Sequence, residues 1–188
     1  HIFSMALKEQ NIAEEFYIGA KASYYGSSQE VEENFHLFPA GAFFGAFPDG
    51  FIGNPGWEEE TTHMEVNSRY SGFEKTDISM GIGYERQNLY KVTEQKNFNA
   101  DFTPRPGGLE DVSDTDEVFM PEADRESHYI YLQSITQLAP DWELTAGARY
   151  DDYTDFGSTF NPRLALVWST SLKLTTKVLY GRAFRAPS

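Results

Sequence analysis

The fold is decided by residues 142–151, WELTAGARYD, in which apolar and polar side chains alternate. One parity carries Trp142, Leu144, Ala146, Ala148 and Tyr150, and the other carries Glu143, Thr145, Gly147, Arg149 and Asp151. Successive side chains of a β-strand point to opposite faces of the sheet. The stretch therefore predicts a strand with one apolar and one polar face.

The same alternation recurs along the chain, clearly at residues 15–24, 75–85 and 160–168 and less regularly at 62–70 and 129–138. In the last of these, Ile130 and Leu132 share one face, but Tyr129, Tyr131 and Ile135 occupy the other. We count about eight strands, several of which reach the roughly 9–11 tilted residues that cross a bilayer.

The connections between these strands differ in length. Short links are expected at residues 8–11, 71–74, 139–141, 152–158 and 169–171, and long outer loops at about 27–57 and 93–126. Short turns on one rim and long loops on the other are typical of outer-membrane barrels. The pattern predicts an all-β fold, an antiparallel up-and-down transmembrane β-barrel; a soluble β-sandwich with a buried aromatic core is the alternative.

Composition narrows the class of protein. Aromatic residues make up 15% of the chain, yet the mean hydropathy is only -0.51, as expected when apolar and polar residues alternate finely. The net charge of -14 argues against a nucleic-acid partner, which would require a basic surface. The chain has no cysteine and no apolar run long enough for a spanning helix. It begins in a predicted strand without a signal peptide, so we expect a fragment.

Three phrases near the end of the chain carry a family resemblance. They are WELTAGARYD at 142–151, FNPRL at 160–164 and YGRAFRAPS at 180–188. Their order and spacing over about 45 residues resemble the barrel strands of TonB-dependent outer-membrane receptors. The upstream residues resemble that family only in their general arrangement, which is hairpins joined by long outer loops.

The resemblance implies a barrel of about 22 strands that is filled by an N-terminal plug domain. The plug, its TonB-contacting segment and the C-terminal strands are not recognisable here, so residues 1–188 would be an internal part of the barrel domain. Implied partners are outer-membrane lipid, the protein's own plug and, through the missing N-terminal region, TonB. The implied activity is uptake of a ferric siderophore, with haem, cobalamin or a glycan as alternatives. No cofactor is implied.

The residues of these phrases are expected to have structural or unassigned roles. Arg149 and Arg163 lie on the inward parity and are expected to pair with acidic residues of neighbouring strands or of the plug. Pro162 is placed where a strand can forgo a hydrogen-bond donor. The set is Arg149, Tyr150, Asn161, Pro162, Arg163, Gly181, Arg182, Phe184, Arg185 and Pro187.

The first long loop is rich in aromatic residues. Its candidate ligand-binding residues are Phe43, Phe44, Phe47, Phe51 and Trp57. Aromatic planes stack on ring-bearing ligands. The alternative is that the loop packs on itself, on neighbouring loops or on the plug.

Metal binding and catalysis have little support. The second long loop is acidic, and Asp151, Asp152 and Asp155 form a second acidic group whose oxygens suit Ca²⁺, but neither has a regular ligand spacing. A solvated charge run is the plainer interpretation. No catalytic motif is present, so an enzyme is not expected. Two other functions remain open: a small structural or adhesive outer-membrane barrel, and a soluble sugar-binding sandwich.

Overall fold

The computed structural model describes residues 1–31, 33–170 and 174–184, and its regular structure there is β-strand. The strands are Ile2–Ala13 (β1), Phe16–Gln29 (β2), His36–Phe38 (β3), Phe51–Phe73 (β4), Thr76–Lys96 (β5), Glu110–Asp111 (β6), Ala123–Ala139 (β7), Trp142–Tyr153 (β8), Gly157–Ser169 (β9) and Thr175–Gly181 (β10). Among the described residues, no helix has the length and apolar character needed to cross a membrane.

Eight long strands form one up-and-down sheet in the order β1-β2-β4-β5-β7-β8-β9-β10. The short strands β3 and β6 pair with β4 and β5. The all-β, antiparallel fold is therefore confirmed. In the described residues β1 and β10 are the two ends of this path, so these strands form neither a closed eight-stranded barrel nor a sandwich of two stacked sheets.

Several predicted boundaries were wrong. Residues 8–11 are strand, because β1 continues to Ala13 and the chain reverses at Glu14 and Glu15, where Glu15 adopts a left-handed φ of 59°. The first long loop is residues 30–50 rather than 27–57, and the second is 97–122 rather than 93–126. Glycines and Pro55 after Phe51 suggested a loop, but neighbouring side chains cover them. An added Cβ on Gly56 would lie 2.5 Å from the Thr93 hydroxyl.

The chain divides into two compact units. We call His1 with residues 25–61 and 87–124 the loop unit, and the described parts of residues 2–24, 62–86 and 125–188 the strand unit. The long strands β4 and β5 each contribute residues to both units.

Strand register within the strand unit separates the two faces. Across β7, β8 and β9, Ile130 is opposite Tyr150, which is opposite Phe160. The next row along the strands is Tyr131, Arg149 and Asn161. Apolar and polar rows therefore alternate, as the sequence pattern predicts.

The apolar face of the strand unit is uncovered. Leu132 lies on a central strand and is still 55% exposed, because no second layer packs on it. Other large apolar side chains of this unit are exposed in the same way: Met5, Leu7, Met64, Val66, Met80, Ile82, Ile130, Leu164 and Val178. A two-layer sandwich would bury this face.

Two tryptophans meet where β8 begins and β9 ends. Trp142 is opposite Trp168, and their rings stack with centroids 5.3 Å apart. The Trp168 indole donates to Asp141 Oδ2 at 2.9 Å. An apolar ring with a polar tip at a strand end suits a membrane–water interface.

The uncovered face gives the first prediction. Replacing Leu132 by arginine should lower the free energy of unfolding in bilayers by about 2–4 kcal/mol if that face contacts lipid, because a charge would enter the hydrocarbon. The neighbouring Gln133 points to the opposite face, so Gln133→Arg is the matched control. Urea titration of the intact protein in vesicles compares the two variants, and equal losses would contradict a lipid-facing Leu132.

Candidate functional site

The loop unit is built around an aromatic cluster of Phe38, Phe43, Phe47, Phe51, Phe98 and Phe102. Phe51 is its centre. The Phe51 ring stacks on Phe98 with centroids 3.8 Å apart and meets Phe47 edge-on at 4.8 Å. Phe47 and Phe51 are each only 2% exposed. The first long loop therefore packs on itself and on residues from the second loop.

The five aromatic candidates occupy different environments. Phe51 and Trp57 are on β4 rather than in the loop, and Trp57 is half-buried. Phe43 and Phe44 both have left-handed φ angles, 55° and 61°, which non-glycine residues rarely adopt. The Phe44 side chain is fully exposed at 111%. Of the five, Phe44 has the geometry to meet a ligand first, and its binding role stays a prediction.

Asn97 joins the bases of the two long loops. Its Oδ1 accepts a hydrogen bond from the Ile52 backbone N–H at 2.8 Å, and its Nδ2 donates to the Gly50 carbonyl at 2.7 Å. The second loop is also tied to β5, because Glu94 accepts from the Phe119 backbone N–H and the Val112 N–H donates to the Glu94 carbonyl. Glu94 itself is 4% exposed and pairs with Lys96 at 3.1 Å.

The acidic residues of the second loop stabilise their own turns. Arg105 pairs with Glu110 at 3.3 Å and also with Glu117. Hydrogen bonds from the Thr103 hydroxyl and backbone to Asp101 lower the pKa of that carboxyl. The described residues contain no group of three or more His, Cys, Asp or Glu that is suited to hold a metal ion.

The three carboxylates proposed for Ca²⁺ do not converge. Asp151 is bound by Arg149 Nε at 2.7 Å and by Asn161 Nδ2 at 3.3 Å. Asp152 follows it on β8 and therefore points to the opposite face. Asp155 pairs with Arg125 at 2.6 Å. The structure thus gives Asp151 and Asp155 other partners and does not support a Ca²⁺ site.

The polar face of the strand unit is organised by Tyr129. The Tyr129 hydroxyl donates to Glu65 Oε2 at 2.6 Å and lies 2.9 Å from His63 Nε2. Because the single phenolic hydrogen goes to Glu65, His63 Nε2 donates to the phenolic oxygen. The Arg149 guanidinium lies over the Tyr129 ring at 3.7 Å, so this ring and Asp151 hold it from two sides.

Two glycines of β5 accommodate the tyrosine rings. An added Cβ on Gly83 would lie 2.1 Å from the Tyr129 ring, and one on Gly81 would lie 2.5 Å from the Tyr131 ring. These two positions need glycine because the tyrosine rings of β7 occupy the space of a Cβ atom.

Register places four of the motif residues on the same wall: Arg149, Asn161, Arg163 and Gly181. Arg149 is opposite Asn161, and Arg163 is opposite Gly147 on one side and Gly181 on the other. Tyr150 is on the apolar face, in the row of Ile130. Arg182, Phe184 and Arg163 line one recess of about 690 Å³. Arg185 and Pro187 lie outside the described residues.

The pairing of Arg149 with an acidic residue was expected, but its partner is Asp151 of the same strand. Sequence reasoning missed the roles of Glu65 and Tyr129. The signal was present, because Tyr129 and Tyr131 occupy the parity opposite Ile130 and Leu132. The Tyr129 hydroxyl on that parity bonds Glu65 and His63, so the tyrosines mark a polar row rather than a break in the strand pattern.

Comparison with known proteins now identifies the class. The family model "TonB dependent receptor-like, beta-barrel" matches residues 9–188. The chain therefore belongs to the TonB-dependent receptor family, and its strands are part of that family's β-barrel.

Two relatives illustrate the range of the family. The ferric enterobactin receptor PirA of Pseudomonas aeruginosa is 34% identical over 68 residues, which cover 36% of this chain and 9% of the relative. The vitamin B12 transporter BtuB of Vibrio cholerae is 26% identical over 155 residues, covering 63% of this chain and 25% of the relative. The chain thus spans a quarter or less of the relatives' length. No solved structure matches it.

Replacing Gly83 by alanine should destabilise the protein by about 1–3 kcal/mol, because the Tyr129 ring would have to leave its bonds to Glu65 and His63. Gly181→Ala is the matched control, since an added Cβ there meets only the Pro162 carbonyl, at 3.9 Å. Urea unfolding in detergent measures both. A loss at Gly181 as large as that at Gly83 would refute the packing role of Tyr129.

Replacing Asn97 by alanine should loosen the loop unit, because the Ile52 N–H and the Gly50 carbonyl would lose their hydrogen-bond partner. Each buried polar group left without a partner costs about 1–3 kcal/mol of stability. Hydrogen exchange of Ile52 and Phe98 in the intact protein should accelerate. Asn88→Ala is the control, since the hydrogen bond that Asn88 donates to Glu60 is long, at 3.4 Å. Unchanged exchange in the Asn97 variant would show that the loops do not depend on this bridge.

Proposed function

We propose that this chain is part of an outer-membrane receptor that takes up a scarce nutrient with energy relayed from TonB. The observation that carries the proposal is the two-faced, single-layer sheet. Its apolar side chains, such as Leu132 and Met80, are uncovered, while the opposite face has a connected polar network around Tyr129. A sheet of this kind is stable where one face contacts lipid and the other a polar interior.

Membership in the family supports the proposal that TonB supplies the energy for uptake. TonB-dependent receptors are outer-membrane proteins that interact with TonB, and the model of their barrel matches nearly the whole chain. We propose that the rest of the protein supplies a plug domain inside the barrel and the segment that contacts TonB. Arg149, Tyr129 and Glu65 would then form part of the wall that faces the plug. The proposal assigns no catalytic step and no resident cofactor to these residues.

We propose a ferric siderophore or a similar large nutrient as the ligand. The relatives are named for ferric enterobactin and for vitamin B12, both of which are large ligands that carry a metal. The loop unit supports capture of a bulky ring-bearing ligand, because the aromatic cluster fixes the turn that exposes Phe44. A rigid turn spends less conformational entropy on binding than a flexible loop.

Binding and uptake test the proposal in separate experiments. Intact protein in detergent is titrated with ferric enterobactin and with cyanocobalamin, and tryptophan fluorescence reports binding. Phe44→Ala should lower the affinity for whichever ligand binds by about tenfold, because one aromatic contact is lost. Phe119, in the second loop, is also exposed, at 80%, so Phe119→Ala is the matched control.

Uptake of the bound ligand by cells should stop when TonB is deleted. Uptake that continues at the same rate without TonB would overturn the proposed energy source. Equal affinity of the Phe44 and Phe119 variants would overturn the role of Phe44 but leave the receptor function standing.

A further inference from the structure

The polar face of the strand unit contains a recess centred on Arg163, which we call the Arg163 recess. Its arginines are Arg149, Arg163 and Arg182, and its acidic residues are Glu65 and Asp151. The volume of about 690 Å³ lies within the range of small-molecule sites. None of the comparisons assigns a role to these residues.

Glycines leave Arg163 without neighbouring side chains across the strands. Its two cross-strand partners are Gly147 on β8 and Gly181 on β10. Among the described residues, an added Cβ on Gly181 would meet nothing closer than the Pro162 carbonyl at 3.9 Å, so space is open beside Arg163 on the β10 side. A ligand group can therefore approach both the side chain and the strand backbone.

The acidic residues of the recess already have partners on the wall. Glu65 accepts hydrogen bonds from the Tyr129 hydroxyl at 2.6 Å and from Asn67 Nδ2 at 3.2 Å. Asp151 is only 4% exposed and is held by Arg149 and Asn161.

Arg163 and Arg182 make no ion pair with a carboxylate in the described part of the chain. Both residues are exposed to solvent in the recess. A guanidinium pairs most strongly with a planar oxyanion, to which it donates two parallel hydrogen bonds. The recess therefore presents positive charge whose natural complement is a carboxylate.

Aromatic rings form another part of the lining. Tyr131, Tyr153 and Phe184 face the recess, and the Phe184 ring lies 5.2 Å from Phe156, which supports it. Arginine side chains flanked by aromatic rings favour a ligand that carries both a negative group and a planar apolar part.

We infer that the Arg163 recess binds an aromatic carboxylate group of a ligand, with Arg163 and Arg182 on the carboxylate and Tyr131 or Phe184 on the ring. The inference rests on the proposed function in one respect, that the polar face of the strand unit lines the interior of the receptor. It adds the chemical class that the passage accepts and a second contact point apart from Phe44 in the loop unit.

Benzoate is the probe, and benzamide is its neutral counterpart of the same shape. Isothermal titration calorimetry of the intact protein in detergent should give saturable benzoate binding, with benzamide at least about tenfold weaker, since it lacks the charge-assisted bonds. Arg163→Gln should weaken benzoate about tenfold, and Arg163→Lys less, because lysine keeps the charge but cannot donate in parallel. Arg69→Gln is the control, because Arg69 pairs with Glu9 on β1 and does not line the recess.

Circular dichroism establishes that each variant is folded before it is titrated, and the lysine variant gives the comparison if the glutamine variant does not fold. Absent benzoate binding, equal binding of benzamide, or affinity that is the same in the Arg163 and Arg69 variants would each overturn the inference. The experiment uses neither TonB nor the transported nutrient. A failure here therefore leaves the proposed receptor function intact, and a failure of TonB-dependent uptake leaves the recess intact.

Discussion

The structure depends on one constraint, which is that a single layer of antiparallel strands carries an apolar face and a polar face. Backbone groups are paired between neighbouring strands, so the two faces differ only through their side chains. On β7 this puts Ile130 and Leu132 on an uncovered apolar face and Tyr129 and Tyr131 on a polar one. Burying such a face stabilises the protein by roughly 25 cal/mol for each Å² of apolar surface. Under the proposed function, lipid hydrocarbon covers it.

The polar face shows how the interior of such a sheet is kept ordered. Tyr129 lies flat over Gly83, donates to Glu65 and supports Arg149, which in turn pairs with Asp151. Each contact joins residues from different strands or successive inward positions. The network joins β4, β7 and β8 through side chains on this face. The Arg163 recess is the part of this face that the network leaves open.

Much of the fold was predictable from period-two alternation, because each strand contributes apolar side chains to one face of the sheet and polar side chains to the other. The predicted strand boundaries were wrong where local composition conflicted with strand pairing. The polar residues 8–11 suggested a turn but continue an exposed strand, and the glycine-rich start of β4 suggested a loop but is strand. The site was less predictable. Nothing local indicates that Phe51 would be buried or that Asn97 would join two loops, since both contacts connect residues distant in sequence. The polar network around Tyr129 likewise depends on register, which sequence alone leaves undetermined.

The most direct test of the account is the accessibility of spin labels placed one at a time at residues 128–133 of the intact protein in lipid vesicles. Collisions with oxygen, which concentrates in hydrocarbon, are compared with collisions with a water-soluble nickel complex. The account predicts a period of two, with oxygen collisions highest at 130 and 132 and lowest at 129, 131 and 133. Uniform accessibility along the strand, or maxima at the tyrosine positions, would contradict the claim that the apolar face of this sheet contacts lipid.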